Sequence, residues 1–297
     1  MEKKPLIAAD TAAFIRTSET FAALETAALD IEGQRRQFEA LCDHFRYDHP
    51  PGLTVEDTVI NGVRVRQYTP PDAATARLLY FHGGGFVVGS LETHDSICAD
   101  LAAATGMQLV AVDYRLAPEH LHPAALDDGL AVRDGLLAES DRPIITVGDS
   151  AGGWLAAMVT ADDPALVCGQ VLIYPMLGAP MDAESYRRHA NAPLLSAEAI
   201  GFYWASYRGT APAPGEPVEP LALADLSAQP ETRIIAAGLD PLADDGPLYA
   251  ARLEAAGVPV SCFVAPGLPH GFLRARHLAA EAGDAWQRII AACRALG

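Results

Sequence analysis

The sequence predicts an α/β fold in which a mostly parallel sheet of about eight strands is flanked by helices. Short runs such as residues 78–81 and 171–175 are continuously apolar, as is typical of strands that are covered on both faces. Segments with helical spacing separate these runs, and this alternation favours parallel strands with helices on both faces. The chain has 297 residues, 50% of them hydrophobic, which is enough for a sizeable core.

Charge and cysteine content argue against several classes of protein. The net charge is -17, and Lys3 and Lys4 are the only lysines, so no basic run is available for nucleic acid or an anionic membrane. Five scattered cysteines without C-x-x-C spacing favour a reducing compartment over a disulfide framework or a zinc site. No signal-peptide pattern and no membrane-spanning run is evident. We therefore expect a cytoplasmic monomer or homodimer with no nucleic-acid or membrane partner.

Residues 1–50 have a helical pattern and no strand signal. Apolar residues recur near helical spacing in two groups, Phe14, Phe21, Leu24 and Leu29, and then Phe38, Leu41 and Phe45. This region is either a cap over a functional site or a helical decoration, and the cap is favoured by the motifs described below.

The sheet is predicted to begin with a hairpin over residues 54–68, because apolar and polar residues alternate there around the tight-turn pair Asn61-Gly62. Further strands are expected at 78–81, 108–114, 144–147, 171–175, 233–238 and 258–264. Helices are expected at 96–105, 123–137, 154–159, 248–256 and 279–296. A loop is expected at 266–272, after the strand at 258–264.

Three glycines follow the strand at 78–81, in the stretch His82-Gly83-Gly84-Gly85-Phe86. Glycine lets the backbone approach a ligand closely and turn its N–H groups inward. The loop is either a phosphate cradle or an oxyanion loop of the H-G-G-G type. The absence of lysine and of G-x-x-x-x-G-K-[ST] disfavours the phosphate cradle.

The stretch at 144–153 predicts a nucleophile elbow. An apolar strand leads into Gly148-Asp149-Ser150-Ala151-Gly152, which fits G-x-S-x-G, and a helix follows. A Cβ at Gly148 or Gly152 would crowd the neighbouring strand or helix. The turn would expose Ser150 at a helix N-terminus, where backbone N–H groups stabilise negative charge. Taken alone, the pentapeptide also fits an ordinary strand–helix turn.

A serine nucleophile needs a base that removes its proton and an acid that orients the base. Asp240 and His270 each follow a predicted strand, and Ser, Asp, His is the chain order of α/β-hydrolases. Asp149 is expected to point away from the Ser150 hydroxyl and to be structural. His82 is expected to orient the glycine loop.

The other acidic residues and histidines fit these roles less well. Asp244 and Asp245 lie near the next helix start, where carboxylates are common caps. The remaining histidine candidates are His94, His120 and His122, which precede the nucleophile, and His189 and His277, which are expected at the surface.

Residues 177–222 interrupt the alternation of strands and helices. They contain aromatic residues and a proline-rich tail, namely Tyr186, Phe202, Tyr203, Trp204, Tyr207 and the segment 211–220. The insertion is either core filler or a lid, and a lid is favoured because active sites lie at the carboxyl ends of strands. We predict a catalytic domain at 51–176 and 223–297 and a cap built from 1–50 and 177–222.

Five motifs, in order, resemble those of the bacterial hormone-sensitive-lipase-like esterases of the GDSAG subgroup. They are HGGGF at 82–86, DYRLAPEH at 113–120, GDSAGG at 148–153, DPL at 240–242 and HGF at 270–272. The resemblance runs from about residue 50 to the C-terminus and is weaker in the N-terminal helices. It implies an α/β-hydrolase fold with a helical cap, and hydrolysis of short-chain carboxylic esters through an acyl-enzyme without a cofactor or metal.

By position, the resemblance implies a role for each matching residue. Ser150 would be the nucleophile, Asp240 the acid and His270 the base, with the backbone N–H groups of Gly84, Gly85 and Ala151 as oxyanion donors. Arg115 and Glu119 resemble scaffold residues of the family. Trp154 departs from the pattern, because many members carry Asn there, and its ring is expected to reshape the support of the elbow.

The triad leaves other reactions open. The same groups serve amide, lactone or carbamate hydrolysis and acyl transfer to an alcohol, because the pocket decides the leaving group. A non-catalytic receptor could also bind a small molecule under the cap, but the intact Ser, Asp and His set argues against it. The expected partner is therefore a small-molecule ester.

Overall fold

A computed structural model describes residues 7–21, 29–209 and 219–297, and these residues surround an eight-stranded sheet. The strands are β1 (Thr54–Ile60), β2 (Val63–Thr69), β3 (Arg77–Phe81), β4 (Gln108–Val112), β5 (Ile144–Asp149), β6 (Gly169–Ile173), β7 (Thr232–Leu239) and β8 (Val260–Pro269). Their order is β1-β2-β4-β3-β5-β6-β7-β8, with β1 and β2 antiparallel to their neighbours and β3 to β8 parallel. The predicted α/β class and mostly parallel sheet are confirmed.

Each helix predicted at 96–105, 123–137, 154–159, 248–256 and 279–296 overlaps a helix of the described residues. The helices are α1 (Ala9–Phe21), α2 (Ile31–His44), α3 (Leu91–Thr105), α4 (Ala124–Glu139), α5 (Ala151–Asp162), α6 (Glu184–Arg188), α7 (Ala197–Arg208), α8 (Asp245–Ala255) and α9 (Ala280–Leu296). Helix α3 begins before the predicted start at residue 96, because Ser90 and Thr93 form a capping box. Leu24 and most of the proline-rich tail lie outside the described residues.

The predicted hairpin is confirmed. Strands β1 and β2 pair in antiparallel register from Thr54↔Thr69 to Ile60↔Val63. Asn61 and Gly62 form the connection, with φ of 47° and 87°. Two successive positive φ angles are the requirement of the tight turn that the Asn-Gly pair predicts.

The loop predicted to begin at residue 266 is wrong for residues 266–269. Strand β8 continues to Pro269, and Leu239 pairs with Pro269 after a register irregularity in β7. Strand β8 lies at the edge of the sheet, where a proline removes no ladder hydrogen bond on its open side. Prolines at 266 and 269 therefore do not end this strand.

Both faces of the sheet are buried, as the continuous apolar runs predict. Leu79 and Phe81 pack into a core with residues of α4, α5 and α8, whereas Leu78 and Tyr80 pack into a second core with residues of α3 and α9. All four side chains are fully buried. Each buried aliphatic or aromatic side chain contributes about 1.5–3 kcal/mol, so the two cores hold the sheet rigidly beneath its loops.

The carboxyl ends of the parallel strands position the candidate site. Phe81 of β3 pairs with Gly148 of β5, so the glycine loop and the turn at Ser150 leave the sheet side by side. The carboxyl ends of β7 and β8 lie at this same end of the sheet, and Asp240 and His270 directly follow them. Among residues 7–21, 29–209 and 219–297, no helix combines the length and apolarity needed to cross a bilayer.

Candidate active site

Ser150 lies in a strained turn between β5 and α5. Its φ of 57° and ψ of -120° are unusual for a residue with a side chain, and the turn leaves it 8% exposed. A Cβ on Gly152 would overlap the carbonyl of Phe81, and one on Gly148 would overlap the carbonyl of Gly152. The predicted crowding at both glycines is therefore confirmed.

Ser150, His270 and Asp240 form a continuous hydrogen-bonded chain. Ser150 Oγ lies 2.9 Å from His270 Nε2, and His270 Nδ1 lies 2.6 Å from Asp240 Oδ2. An ionised carboxylate only accepts hydrogen bonds, so Nδ1 carries the proton and Nε2 is left to accept one from the serine. Asp240 is 0% exposed, and Leu242 N donates to its other oxygen at 2.9 Å. The carboxylate is thus fixed in place, and it fixes the imidazole.

The glycine loop presents backbone N–H groups beside Ser150. Gly84 and Gly85 have φ of 129° and 60°, and Val88 N donates to Gly84 O at 2.9 Å, which folds the loop back on itself. Outside helices and strands, the backbone hydrogen bonds found among the described residues use none of the N–H groups of Gly84, Gly85 and Ala151. Backbone N–H groups left free of such bonds next to a nucleophile are what an oxyanion site requires, and the assignment of these three donors stays a prediction.

Asp149 supports the glycine loop through hydrogen bonds. Its carboxylate accepts hydrogen bonds from Tyr80 Oη at 2.7 Å, Gly83 N at 2.9 Å and Tyr174 Oη at 3.2 Å. Burial raises the pKa of Asp149, but His94 and the Tyr80 hydroxyl outweigh that effect and hold the pKa below its usual range. The structural role predicted for this carboxylate matches these contacts.

His82 also acts on the loop, as predicted. It is buried, its ring stacks 4.2 Å from the ring of Tyr114, and its Nδ1 lies 2.8 Å from Gly83 O. Burial, assisted by the neighbouring His94, lowers the pKa of His82 to about 3, so the ring is neutral at physiological pH. His94 Nε2 lies 3.4 Å from Asp149 Oδ1. His277 Nε2 lies 2.9 Å from Asp100 Oδ2.

Asp244 and Asp245 lie at the start of α8, as predicted, but the expected capping role is wrong. Asp244 makes no side-chain cap hydrogen bond to α8 and instead accepts one from Ser185 N at 2.8 Å. Asp245 is buried and accepts hydrogen bonds from the backbone N–H groups of Leu177, Gly178 and Ala179. Burial raises the pKa of Asp245 to about 7, against the effect of these donors. Both carboxylates therefore bind backbone N–H groups of residues within 177–222.

A cavity of about 160 Å³ opens onto Ser150 and His270. Its walls include residues from both segments that are predicted to form the cap, namely Phe14, Ser18, Phe38 and Leu41 of the N-terminal helices and Leu194, Leu195, Ile200 and Tyr203 of the insertion. The ring of Tyr203 lies against Gly85, so a side chain at Gly85 would collide with it. Among the described parts of the chain, no group of three His, Cys, Asp or Glu side chains could hold a metal ion.

Trp154 fills the space between the elbow helix and α7. It is fully buried, and its ring meets the rings of Phe86, Tyr207 and Trp204 at 5.4, 5.7 and 6.3 Å between centroids. Phe86 belongs to the glycine loop, so the ring supports that loop from behind. The reshaped support of the elbow expected from the departure at residue 154 stays a prediction.

Two residues of the site were missed by the sequence reasoning. Tyr174 follows β6, its ring lies 4.8 Å from that of His270, and its hydroxyl reaches Asp149. Its position just past a parallel strand is a signal that could have identified it. Arg274 is 7% exposed and lines the cavity. No sequence pattern distinguishes Arg274 from a surface arginine.

The chain is similar to proteins of known fold and activity. The family model described as "alpha/beta hydrolase fold" matches residues 78–274. Esterase LipI of Mycobacterium tuberculosis is 40% identical over 269 residues, which cover 82% of each chain. Ethyl acetate hydrolase of Pseudomonas putida is 34% identical over 292 residues, covering 89% of this chain and 90% of the relative. The crystal structure of an esterase from the bacterial hormone-sensitive lipase family matches with a TM-score of 0.90 and 28% identity, covering 99% of this chain and 100% of the other.

Proposed function

The chain belongs to the hormone-sensitive-lipase-like esterase family of the α/β-hydrolase fold, and we propose that it hydrolyses short-chain carboxylic esters through an acyl-enzyme on Ser150. The observation that carries the proposal is the unbroken chain from Ser150 Oγ through His270 to Asp240, at 2.9 and 2.6 Å. The named activities of the relatives, esterase and ethyl acetate hydrolase, support the substrate class.

In the proposed reaction, Ser150 Oγ attacks the ester carbonyl while His270 Nε2 takes its proton. The N–H groups of Gly84, Gly85 and Ala151 bind the negative charge that develops on the carbonyl oxygen, and each such donor typically contributes about 3 kcal/mol. His270 then protonates the departing alcohol. Water, deprotonated by His270, attacks the acyl-enzyme, and the carboxylic acid leaves as the Ser150 hydroxyl is restored.

The test is the loss of turnover in Ser150→Ala. We expect the purified wild-type chain to hydrolyse p-nitrophenyl esters of short acids and to be labelled covalently by a fluorophosphonate. Ser150→Ala should lose both properties, whereas Ser227→Ala, at an exposed serine, should keep them. Undiminished hydrolysis or labelling in Ser150→Ala would reject the assignment, and an unreactive wild-type chain would favour a receptor.

A panel of acyl lengths with amide and lactone controls separates the ester reaction from the other reactions of the same triad. The cavity of about 160 Å³ supports small acyl groups. We propose the cytoplasm as its location, and the five free thiols support a reducing compartment.

A further inference from the structure

Arg274 is a buried cation on the wall of the cavity, and the proposed ester hydrolysis does not use it. Its Nε donates to Cys42 Sγ at 3.2 Å, and its guanidinium carbon lies 4.9 Å from the centre of the Phe38 ring. Among residues 7–21, 29–209 and 219–297, we find no carboxylate in ion-pair contact with Arg274 and no hydrogen-bond acceptor for its two terminal nitrogens. A thiol is a weak acceptor, so this guanidinium is poorly satisfied.

Other buried arginines of the protein have carboxylate partners. Arg276 pairs with Asp100, and Arg133 pairs with Asp162 at 2.9 Å. Burying a cation without a partner costs far more than burying one in a pair. Arg274 therefore has a vacant anion-binding capacity that these two arginines lack.

Asp149 is a carboxylate whose charge acts on Arg274, but it forms no ion pair with the guanidinium. Burial lowers the pKa of Arg274, but Cys42, Tyr174 and Asp149 together outweigh it and raise the pKa above its ordinary value. Both oxygens of Asp149 already accept hydrogen bonds, one from Tyr80 and Gly83 and the other from Tyr174. Asp149 thus helps to keep Arg274 charged while leaving its terminal N–H groups available.

The position of Arg274 puts its guanidinium beside Gly271, the residue that follows the proposed base. A short 3₁₀ turn follows His270, and Arg274 N donates to Gly271 O at 3.3 Å. A Cβ built on Gly271 would lie 3.3 Å from Arg274 Nη1, so the guanidinium folds back against the neighbour of the proposed base. Since Ser150, His270 and Arg274 all line one cavity of about 160 Å³, a small molecule can reach the nucleophile and the cation together.

We propose that Arg274 binds a carboxylate carried by the substrate, so that the preferred substrates are small esters with a second, anionic group. A hemiester of a short dicarboxylic acid has this chemistry, because the planar guanidinium matches a carboxylate in a paired hydrogen-bond geometry. The inference rests on the proposed ester hydrolysis and adds a substrate class to it.

The test compares matched anionic and neutral esters. With the charge on the acyl side, p-nitrophenyl hemisuccinate is compared with p-nitrophenyl levulinate, which replaces the carboxylate by a methyl ketone. With the charge on the alcohol side, acetoxyacetate is compared with acetoxyacetamide. The measured quantity is the ratio of kcat/KM for the anionic ester to kcat/KM for the neutral one. The arm that responds identifies which side of the ester carries the recognised group.

In at least one arm, we expect Arg274→Met to lower this ratio at least tenfold and Arg274→Lys to lower it less. Arg36→Met removes an exposed cation from α2, outside the cavity, and should leave the ratio as in wild type. Equal ratios in wild type and Arg274→Met in both arms would overturn the inference. Hydrolysis of the neutral esters by wild type would still support the proposed function in that case, so the two failures are distinguishable.

A second measurement avoids the variant, should Arg274→Met fail to fold. Succinate and levulinate are tested as inhibitors of wild-type hydrolysis of p-nitrophenyl levulinate, and acetoxyacetate and acetoxyacetamide are tested likewise. Stronger competitive inhibition by the member with the additional carboxylate, by about tenfold, supports the inference. Equal inhibition within both pairs contradicts it.

Discussion

At the scale of single residues, Asp240 has both carboxylate oxygens engaged. One faces His270 Nδ1 at 2.6 Å and the other accepts from Leu242 N at 2.9 Å. An amide in its place would keep the shape but could present an N–H to the imidazole, which would favour the wrong tautomer. We expect Asp240→Asn to remain folded and to lose about 10³–10⁴-fold in kcat, measured with a short-chain p-nitrophenyl ester.

The control for this variant is Asp244→Asn. Asp244 accepts a hydrogen bond from Ser185 N of the insertion and has no contact with His270, so its replacement should change kcat only slightly. Full activity in Asp240→Asn with a large loss in Asp244→Asn would transfer the role of the acid. Circular dichroism of both proteins shows whether a loss reflects unfolding.

The roles of single residues were predictable where a residue directly follows a parallel strand. Ser150, Asp240 and His270 each follow a strand, and parallel strands deliver such residues to one edge regardless of their separation in the chain. Arg274 and Asp245 were not predictable in this way. Their roles depend on which atoms pack around a buried charge, and a sequence does not display those neighbours.

At the scale of elements, helix α2 is attached to the glycine loop through Arg35. Arg35 Nε donates to Val87 O at 2.9 Å and Nη2 donates to Ala117 O at 3.1 Å. The same guanidinium forms an ion pair with Glu119 at 2.7 Å, but the Glu119 side chain is 52% exposed, so solvent weakens that pair. The two carbonyl contacts are therefore the stronger link between this helix and the oxyanion donors.

We expect Arg35→Met to lower kcat/KM for a neutral short-chain ester about fivefold. Each hydrogen bond from the charged guanidinium is worth about 1.5–3 kcal/mol, and part of this loss is expected to reach the transition state through a looser loop. Glu119→Gln removes the exposed ion pair and keeps both carbonyl contacts, so it should cost less than twofold. Steady-state kinetics of the two variants give the comparison. Equal losses in both would attribute the effect to the ion pair, and no loss in either would mean that the loop holds its shape without α2.

Strands and helices were predicted well where the hydrophobic pattern indicates burial. Their first and last residues were predicted less well where a proline or a capping residue determines them. The hairpin at Asn61-Gly62 and the buried strand β3 follow from their patterns. Strand β8 passes through Pro266 and Pro269 because it lies at an edge, and strand order is not visible in the sequence. Helix α3 starts at its Ser90 capping box, a local signal that the apolar pattern obscured.

At the scale of the whole molecule, two segments far apart in the chain close one cavity over the sheet. Helices α1 and α2 supply one part of its wall and α7 supplies another, which is consistent with the predicted cap. The division at residues 50, 177 and 222 remains a prediction. The insertion is anchored to the sheet domain by Asp245, which binds three backbone N–H groups just after β6.

That anchor predicts a pH dependence of global stability. The folded chain raises the pKa of Asp245 from 3.8 to about 7 by burial, so between these values the folded state retains a proton that the unfolded state has released. The contribution of this proton is fully present below the unfolded pKa and is lost as pH rises through about 7. Asp245→Asn removes it, because an amide oxygen can still accept from the three N–H groups but does not titrate.

We expect the free energy of unfolding of wild type, relative to Asp245→Asn, to fall by about 2–3 kcal/mol between pH 5 and pH 8, at about 1.4 kcal/mol per pKa unit. Urea unfolding of both proteins at the two pH values measures the difference, and the other titrating groups, common to both chains, largely cancel. Parallel stability curves would show that the three N–H donors keep Asp245 ionised in the fold. The anchor would then be a permanent charge, and acidification below pH 4 would be the condition that releases the insertion.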